Sequence, residues 1–369
     1  MKPVLHACWP LLLSVGAWVP GPALGAGSVL PVQAVSGAQR AVPAQLGPAT
    51  FWPSERQWQA LREQVPQQPE LEAFVQSQYR LVAQHWEHAL PAPTRLAPEP
   101  APAPLGLDLL QALGFLFQLT GDPAYAQRAS QVLQAWVARL PPSGEALEAS
   151  RLEPALWAYR LLRPALAAPE RTRIDAWWHA WAQALWAARD LSQRSAQDRH
   201  NSHRLKTVGL IGYALGDGAW VERVRLGLQQ QLMDNLLPSG ETLDHQAQPQ
   251  LAVQVDDLRA LLTLALALRE SGPDLYRWTS PNGASMAHSV AWTLARAPQA
   301  GRGRGSASAA RTSEGAPPAP AAWQAWLALV QAWQPGMVPP EAFQDAAARE
   351  ASVALRRWLN SVAGQRIQP

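Results

Sequence analysis

The sequence is almost without cysteine: the single one, Cys8, lies in an N-terminal segment that we expect to be removed. A mature chain without cysteine forms no disulfide bond, so packing alone must stabilise its fold in an oxidising compartment. The same absence excludes a thiol nucleophile and a metal site built from thiolates.

Other patterns are missing as well. No dense run of lysine and arginine occurs and the formal net charge is only +3, so nothing favours a nucleic-acid partner. No stretch after the N-terminal segment is long and uncharged enough to span a membrane. Alternating β-branched runs are absent, and no G-x-S-x-G motif stands at a strand end. We therefore expect an all-α protein with no nucleic-acid partner and no membrane span.

The N-terminus has the pattern of a signal peptide. Lys2 provides a positive charge, residues 4–19 are mostly apolar, and small residues precede a cleavage site near Gly25. A membrane anchor is the weaker interpretation, because the apolar run is short and is interrupted by His6 and Pro10. We predict that residues 1–25 are removed and that the mature protein is periplasmic or secreted.

Helical periodicity and punctuation residues divide the remainder of the chain. We predict an extended lead-in at residues 26–50, one helical domain at 51–297, a disordered low-complexity loop at 298–320, and C-terminal helices at 321–369 that pack on the same domain. Proline recurs through residues 91–104, which predicts a loop. The predicted helices cover residues 54–65, 70–90, 107–119, 123–140, 149–166, 169–191, 199–215, 251–270, 284–295, 321–332 and 340–362, and one more follows residue 220 and runs to the Pro-rich stretch at 237–241.

A sequence repeat indicates how these helices are arranged. The string LTGDPAY at residues 119–125 returns as ALGDGAW at 214–220, and LPPSGE at 140–145 returns as LPSGE at 237–241. Helix–turn–helix units that recur along a chain are typical of stacked or toroidal helical architectures. We therefore predict an incomplete (α/α) toroid of helical hairpins.

One stretch is polar at its start and apolar at its end. Residues 199–206 contain two histidines, an asparagine, two arginines and a lysine, whereas residues 207–215 are apolar and mostly small. A polar head on a buried helix presents functional groups from a rigid base. This pattern predicts the helix that carries the active site.

Each polar residue of this stretch has two interpretations. His203 either acts on a substrate or hydrogen-bonds between helices, and Asn201 either orients a carboxylate or caps the helix. Arg204 and Lys206 either bind a polyanion or belong to a solvated helix start.

A metal site has little support. His200 and His203 share a helix face, but zinc would need a third ligand, for which Asp244 and His245 are the candidates. We predict neither a metal nor a cofactor.

Four short motifs lie between residues 107 and 294. They are GDPAYA at 121–126, SHRLKTVGLIG at 202–212, PSGETLD at 238–244, and DLY at 274–276 followed by GAS at 283–285. Together they resemble the alginate-lyase-like proteins, secreted bacterial polysaccharide lyases and relatives with an incomplete α/α toroid. The SHRLK-x-VGLIG string is the most specific of them.

The resemblance implies β-elimination on a polysaccharide that contains uronate. That reaction needs a group that neutralises the sugar carboxylate, a base for the C5 proton, and an acid, usually tyrosine in this family, for the departing oxygen. The resemblance assigns catalytic roles to Asn201 and His203, and His245 is the candidate to have taken over proton transfer. The predicted substrate-binding residues are His200, Arg204, Lys206, Gln248 and Gln254.

The second part of the expected site departs from the family pattern. The resemblance predicts an arginine and a string rich in histidine and tyrosine, but residues 248–258 read QPQLAVQVDDL. The usual proton donor is therefore absent. Asp256 is the remaining candidate acid at these positions, provided that burial raises its pKa.

Three functions remain open. The chain is a lyase, a catalytically inactive glycan-binding or exopolysaccharide-assembly accessory protein on the same scaffold, or a helical scaffold that contacts other proteins. An acidic polysaccharide is the expected partner in the first two, and the sequence leaves the oligomeric state open. Four tryptophans between residues 177 and 186 either line a glycan groove or fill gaps between helices.

Overall fold

The computed structural model describes residues 55–87, 92–96, 105–189, 197–269, 272–296 and 320–333. Within these ranges the protein is built from α-helices and contains no strand, so the all-α prediction is confirmed. The helices are α1 (Glu55–Gln64), α2 (Pro69–His85), α3 (Leu105–Thr120), α4 (Pro123–Arg139), α5 (Ala146–Ser150), α6 (Glu153–Leu162), α7 (Ala168–Ala188), α8 (Arg199–Leu215), α9 (Gly218–Asn235), α10 (Leu243–Ala247), α11 (Leu251–Leu268), α12 (Met286–Ala295) and α13 (Pro320–Trp333).

The repeated hairpin turn has the same conformation in both copies. Gly121 follows α3 and Gly216 follows α8 with φ angles of 73° and 74°, a left-handed conformation that glycine adopts without steric cost. Asp122 and Asp217 then cap α4 and α9, each accepting a hydrogen bond from the N–H group two residues later at 2.9 and 3.0 Å. The predicted repeat is therefore confirmed as two equivalent hairpins.

The repeat extends beyond the hairpin. Each copy continues into a short helix, α5 or α10, and then a long one, α6 or α11. α6 packs on α3, and α11 packs on α8 in the equivalent way. Two such units side by side give the toroidal arrangement that the sequence predicts.

Two predicted boundaries in these units are wrong. The single helix predicted over residues 149–166 is two helices, because the chain turns at Arg151 and Leu152 and Pro154 lies in the first turn of α6, where no N–H donor is required. Residues 243–247, which include His245, are absent from the predicted helices but form α10, which begins because Thr242 accepts a hydrogen bond from the His245 N–H group at 3.2 Å.

α8 occupies the centre of the described fold and packs against α5, α6, α7, α9 and α11. A Cβ atom on Gly209 would lie 2.5 Å from Leu264, and one on Gly212 would lie 3.0 Å from the Cβ of Trp220. These glycines let α9 and α11 approach closely, so the VGLIG motif is a packing surface. All residues of α8 except His200 and Leu215 are buried, including the polar first half.

Other sequence predictions concern the tryptophans of α7 and the two ends of the chain. Trp177, Trp178 and Trp181 are buried in the core, as gap filling predicts, and the helix predicted at 321–332 is present as α13. The predicted signal peptide, lead-in, low-complexity loop up to residue 319 and the helix at 340–362 lie outside the described residues. Among the described helices, none has the length and apolar character needed to cross a membrane.

Candidate functional site

The start of α8 is held by two aspartates. Asp198 is the N-cap and accepts a hydrogen bond from the His200 N–H group at 2.9 Å, so the capping role considered for Asn201 belongs to Asp198. Asp244 on α10 accepts a hydrogen bond from the Arg199 N–H group at 2.6 Å. The His200 side chain remains 41% exposed and lies 3.2 Å from Asp198, which makes it the accessible member of the predicted set on α8.

His203 lies between α5 and α11, and both of its ring nitrogens are engaged. Nδ1 is 2.7 Å from the Ser150 hydroxyl, and Nε2 is 3.1 Å from Asp256 Oδ2. Because a carboxylate only accepts, Nε2–H donates to Asp256 and Nδ1 accepts from Ser150. Burial lowers the pKa of His203 below its ordinary value, although Asp256 acts in the opposite direction. The imidazole, 2% exposed, is thus neutral and has no lone pair free for a substrate.

Asp256 continues this hydrogen-bonded chain to Arg259, whose guanidinium donates to Asp256 Oδ1 at 2.9 Å. Burial acts to raise the pKa of Asp256, but His203, Arg259 and Arg199 outweigh it and hold the pKa well below its usual range. Asp256 is therefore ionised and carries no proton to donate, which contradicts its proposed role as the replacement acid. The Asp256 side chain, 28% exposed, is the most accessible member of the hydrogen-bonded series Ser150, His203, Asp256 and Arg259.

Asn201 is fully buried and belongs to an amide network. Its Nδ2 donates to Gln231 Oε1 at 2.6 Å, and its Oδ1 accepts from Arg204 Nη1 at 3.4 Å. Gln231 in turn donates at 3.0 Å to the carbonyls of Gln197 and Asp198 and to the hydroxyl of Ser202. The network ties α9 to the first turn of α8, so the Asn201 amide serves the packing of these helices.

The two cations predicted to bind a polyanion are inside the protein. Lys206 is 2% exposed and its Nζ atom lies 2.6 Å from Glu153 Oε2, whose side chain is 8% exposed. Arg204 is 4% exposed. The solvated helix start is therefore wrong for both residues, because α5, α6 and α9 cover this end of α8. Lys206 instead forms a buried ion pair with α6.

His245 lies on α10 and is 4% exposed. Its ring packs edge-on against Trp292 at a centroid distance of 5.0 Å, and its Nε2 atom lies 3.8 Å from Glu241. Nδ1 is 3.4 Å from the Gln250 carbonyl. These contacts direct the imidazole toward the α10–α11 turn and α12, whereas His203 points to α5 and α11.

The two predicted substrate-binding glutamines differ sharply. Gln254 is fully buried: its amide accepts from the Thr242 N–H group at 2.8 Å and donates to the Gly240 carbonyl at 3.0 Å. Gln248 is half-buried at the C-cap of α10. Gln254 therefore holds the PSGETLD loop in place.

Tyrosines lie away from this cluster. Tyr213 is ten residues from His203 on α8, about 15 Å along the helix axis. Tyr159 hydrogen-bonds to Asp175, and Tyr276 stacks on Trp333 at 4.8 Å. The remaining two, Tyr79 and Tyr125, lie close to each other on α2 and α4. The structure thus supplies no tyrosine in place of the missing proton donor.

Asp257 lies next to the cluster and is fully buried. Its Oδ2 accepts from Asn235 at 2.6 Å, and its other oxygen has no hydrogen-bond partner among the described residues. Burial and the nearby Asp244 raise the pKa of Asp257 to about 8, which hydrogen bonds from Ser202 and Asn235 offset only in part. The carboxyl group is therefore mainly protonated at neutral pH.

We expect Asp257→Asn to stabilise the protein at neutral pH, on the order of 1–2 kcal/mol. The folded pKa of about 8 exceeds the unfolded value of about 3.9. The wild-type chain is thus most stable below the unfolded pKa and loses stability as the pH rises toward the folded one. Asparagine has the same shape and does not titrate. Urea unfolding at about pH 5 and about pH 8 should show the larger gain at the higher pH, and an equal loss at both would contradict the protonated carboxyl.

Three members of this region could not be predicted from the sequence. Ser150, Glu153 and Asp257 contact α8 or its partners, yet none of them belongs to a motif that predicts chemistry. The turn between α5 and α6 brings Ser150 and Glu153 together, and its signal in the sequence was Pro154. Across the described residues, no three histidine, aspartate or glutamate side chains form a group suited to a metal ion.

The fold is similar to those of solved alginate lyases. The crystal structure of an alginate lyase from Bacteroides ovatus superposes with a TM-score of 0.61 at 12% identity, covering 84% of this chain and 96% of that chain. Alginate lyase A1-III from Sphingomonas species A1 gives a TM-score of 0.50 at 17% identity, covering 67% and 73%. A histidine-to-alanine variant of A1-III complexed with a tetrasaccharide gives 0.50 at 17% identity, covering 67% and 75%. At these identities the likeness shows the fold alone.

The sequence itself carries the family relationship. No curated protein matches the chain. Residues 108–300, which are more than half of the chain, match the family described as alginate lyase. This stretch includes both repeated hairpins, the whole of α8 and the cluster around His203. The protein belongs to the alginate lyase family.

Proposed function

We propose that this chain binds a carboxylated polysaccharide and does not cleave it by β-elimination. The observation that carries the proposal is the state of His203, which is 2% exposed and has Ser150 on one ring nitrogen and Asp256 on the other. A histidine in this state links α5 to α11 by hydrogen bonds. It offers a sugar neither a proton acceptor nor a cation.

None of the three groups that the elimination requires is available to a substrate at the predicted positions. The predicted carboxylate-orienting amide, Asn201, is bonded to Gln231, and the predicted substrate-binding amide, Gln254, is bonded to the PSGETLD loop. The base, His203, has no free lone pair. The acid is missing, because Asp256 is ionised and tyrosines lie elsewhere. Loss of one group would slow the reaction, whereas engagement of the amides and the base together with the missing acid removes the arrangement that stabilises its transition state.

Family membership supports an acidic polysaccharide as the ligand, since alginate is the substrate named for the solved relatives. The sequence pI of 9.3 is compatible with a polyanion. We propose that the scaffold binds carboxylated sugars, whereas the buried polar residues of α8 stabilise the core. Because residues 1–25 have the pattern of a signal peptide, we also propose that the protein is secreted or periplasmic.

Two measurements on the mature chain test the proposal. Incubation with polymannuronate, polyguluronate, hyaluronan and heparan should give no rise in the ultraviolet absorbance of an unsaturated product. The same protein should be retained on immobilised polyuronate at low salt and released as salt is added. A catalytically competent alginate lyase is the positive control for the first assay, and neutral dextran is the matrix control for the second.

Product formation would restore the lyase interpretation, and a loss of that activity in His203→Asn would place His203 in the reaction despite its burial. Failure of the wild-type chain to bind any of the four polysaccharides would instead favour the protein-contacting scaffold. Binding without product is the result that we expect.

A further inference from the structure

A cluster of arginine and tryptophan lies on α7 and α9, outside the helices that hold His203. The Arg189 guanidinium is 5.4 Å from the centre of the Trp186 ring, and the Arg223 guanidinium is 5.6 Å from the same centre and 4.8 Å from that of Trp220. The two indoles meet edge-on at 5.8 Å. The order Arg189, Trp186, Arg223, Trp220 forms a ladder, which we name the arginine–tryptophan ladder.

Neither guanidinium of the ladder has an acidic partner among the described residues. Among the described residues, no carboxylate forms an ion pair with Arg189 or Arg223. The acidic residues close to them in sequence on α9 are engaged, since Asp217 caps the helix and Glu222 holds Arg225 at 2.6 and 2.7 Å. Two cations that share one ring repel each other, and a bound anion would remove that cost.

The ladder is held in place from below. Trp186 is half-buried and packs beside Gly227, where a Cβ atom would lie 3.7 Å from the indole and 2.8 Å from Leu205 of α8. Trp220 is 9% exposed and lies against Gly212. Because both indoles pack against the core, cation–π contacts with them limit the freedom of the arginine side chains. A guanidinium stacked in this way keeps its N–H edge available for a carboxylate.

Trp186 differs from the other tryptophans of α7. Trp177, Trp178 and Trp181 are 5%, 0% and 1% exposed, so they belong to the core. Arg223 is exposed on α9 and Arg189 is half-buried at the end of α7. Gap filling therefore accounts for the first three residues, whereas the last turn of α7 is placed at the surface with cations around it.

We propose that the arginine–tryptophan ladder is a binding site for a carboxylated polysaccharide, with Arg189 and Arg223 contacting successive carboxylates of the polymer. This inference rests on the proposed function and adds the location of the binding site. The site lies on α7 and α9, whereas the family motif lies on α8. It uses two guanidiniums in fixed positions, which suits a polymer with a carboxylate on every sugar.

The test is affinity electrophoresis of the full mature chain through gels that contain polymannuronate. The double variant Arg189→Gln, Arg223→Gln should raise the apparent dissociation constant about tenfold or more. Arg225→Gln is the matched control, because it removes a charge from the same helix but takes it from a guanidinium paired with Glu222. It should change the constant by less than about twofold. Thermal unfolding of each variant checks that the fold is retained.

The outcomes separate this inference from the proposed function. A double variant that binds like the wild type overturns the ladder alone, as does a loss in Arg225→Gln as large as the loss in the double variant. Product formation by the wild type overturns binding without cleavage and leaves the ladder to be judged by its variants. A wild-type chain that migrates equally with and without polymannuronate overturns both.

Discussion

Replacing Lys206 by methionine should lower the free energy of unfolding by about 3–5 kcal/mol. Lys206 and Glu153 form an ion pair at 2.6 Å with side chains only 2% and 8% exposed. Methionine fills most of the space of the lysine stem but leaves the Glu153 carboxylate buried without its partner. Burial of an uncompensated charge is the dominant cost, and urea unfolding of the variant and the wild type measures it.

A double variant isolates the cause of this loss. Lys206→Met combined with Glu153→Leu removes both charges and should recover most of the stability, since a buried ion pair is often replaceable by apolar side chains of similar volume. Arg95→Met is the control, because Arg95 forms an ion pair with Glu148 while 76% exposed. It should cost less than about 1 kcal/mol.

This result also decides the role of Lys206. If Lys206→Met keeps wild-type stability but loses retention on polyuronate, then Lys206 contacts the ligand, as one interpretation of the sequence predicts. If stability falls and the folded fraction still binds, then Lys206 supports the fold and the polyanion binds elsewhere. The structure leads us to expect the second outcome.

Replacing Gln254 by leucine should destabilise the protein by about 2–4 kcal/mol. The fully buried amide accepts from the Thr242 N–H group at 2.8 Å and donates to the Gly240 carbonyl at 3.0 Å. Leucine is similar in size but leaves both backbone groups buried without these bonds. Gly240 also has a φ angle of 98° and lies against Trp292, so its loop has little freedom to find new partners.

Gln248→Leu is the matched control for Gln254→Leu. Both glutamines are predicted substrate ligands from the same stretch, but Gln248 is half-buried at the end of α10. Its replacement should change stability by less than about 0.5 kcal/mol. Equal stability losses in the two variants would contradict the structural role of Gln254. A stable Gln254→Leu variant that no longer binds polyuronate would return Gln254 to the ligand site.

Local signals in the sequence predicted much of the fold. Gly121 with Asp122 and Gly216 with Asp217 act through neighbouring backbone atoms, so their spacing predicts each hairpin without knowledge of the remainder. Helical periodicity acts over similar distances. The break after Ser150 was missed, although its cause, Pro154, is also local, because the apolar pattern continues across it.

The candidate site was less accessible to the same reasoning. Composition predicts a polar patch at the start of α8, and the family motifs predict a functional role for it. Neither signal shows whether the side chains of the patch are exposed or buried. In the fold, α5, α6 and α9 cover most of the patch. His203 and Lys206 each bond to a residue 53 positions away, and Asn201 bonds to one 30 positions away. Those partners carry no signal of their own.

The sequence by itself determined that the protein is all-α, that its hairpins repeat, and that it belongs among the alginate lyases, because these properties reside in short strings and their spacing. Only the tertiary structure decided which polar groups meet a ligand and which meet each other. The physical reason is desolvation: a buried imidazole, amide or ammonium must be satisfied by whatever the packing brings near it. For His203, Asn201 and Lys206, those partners are other side chains of the protein and not a ligand.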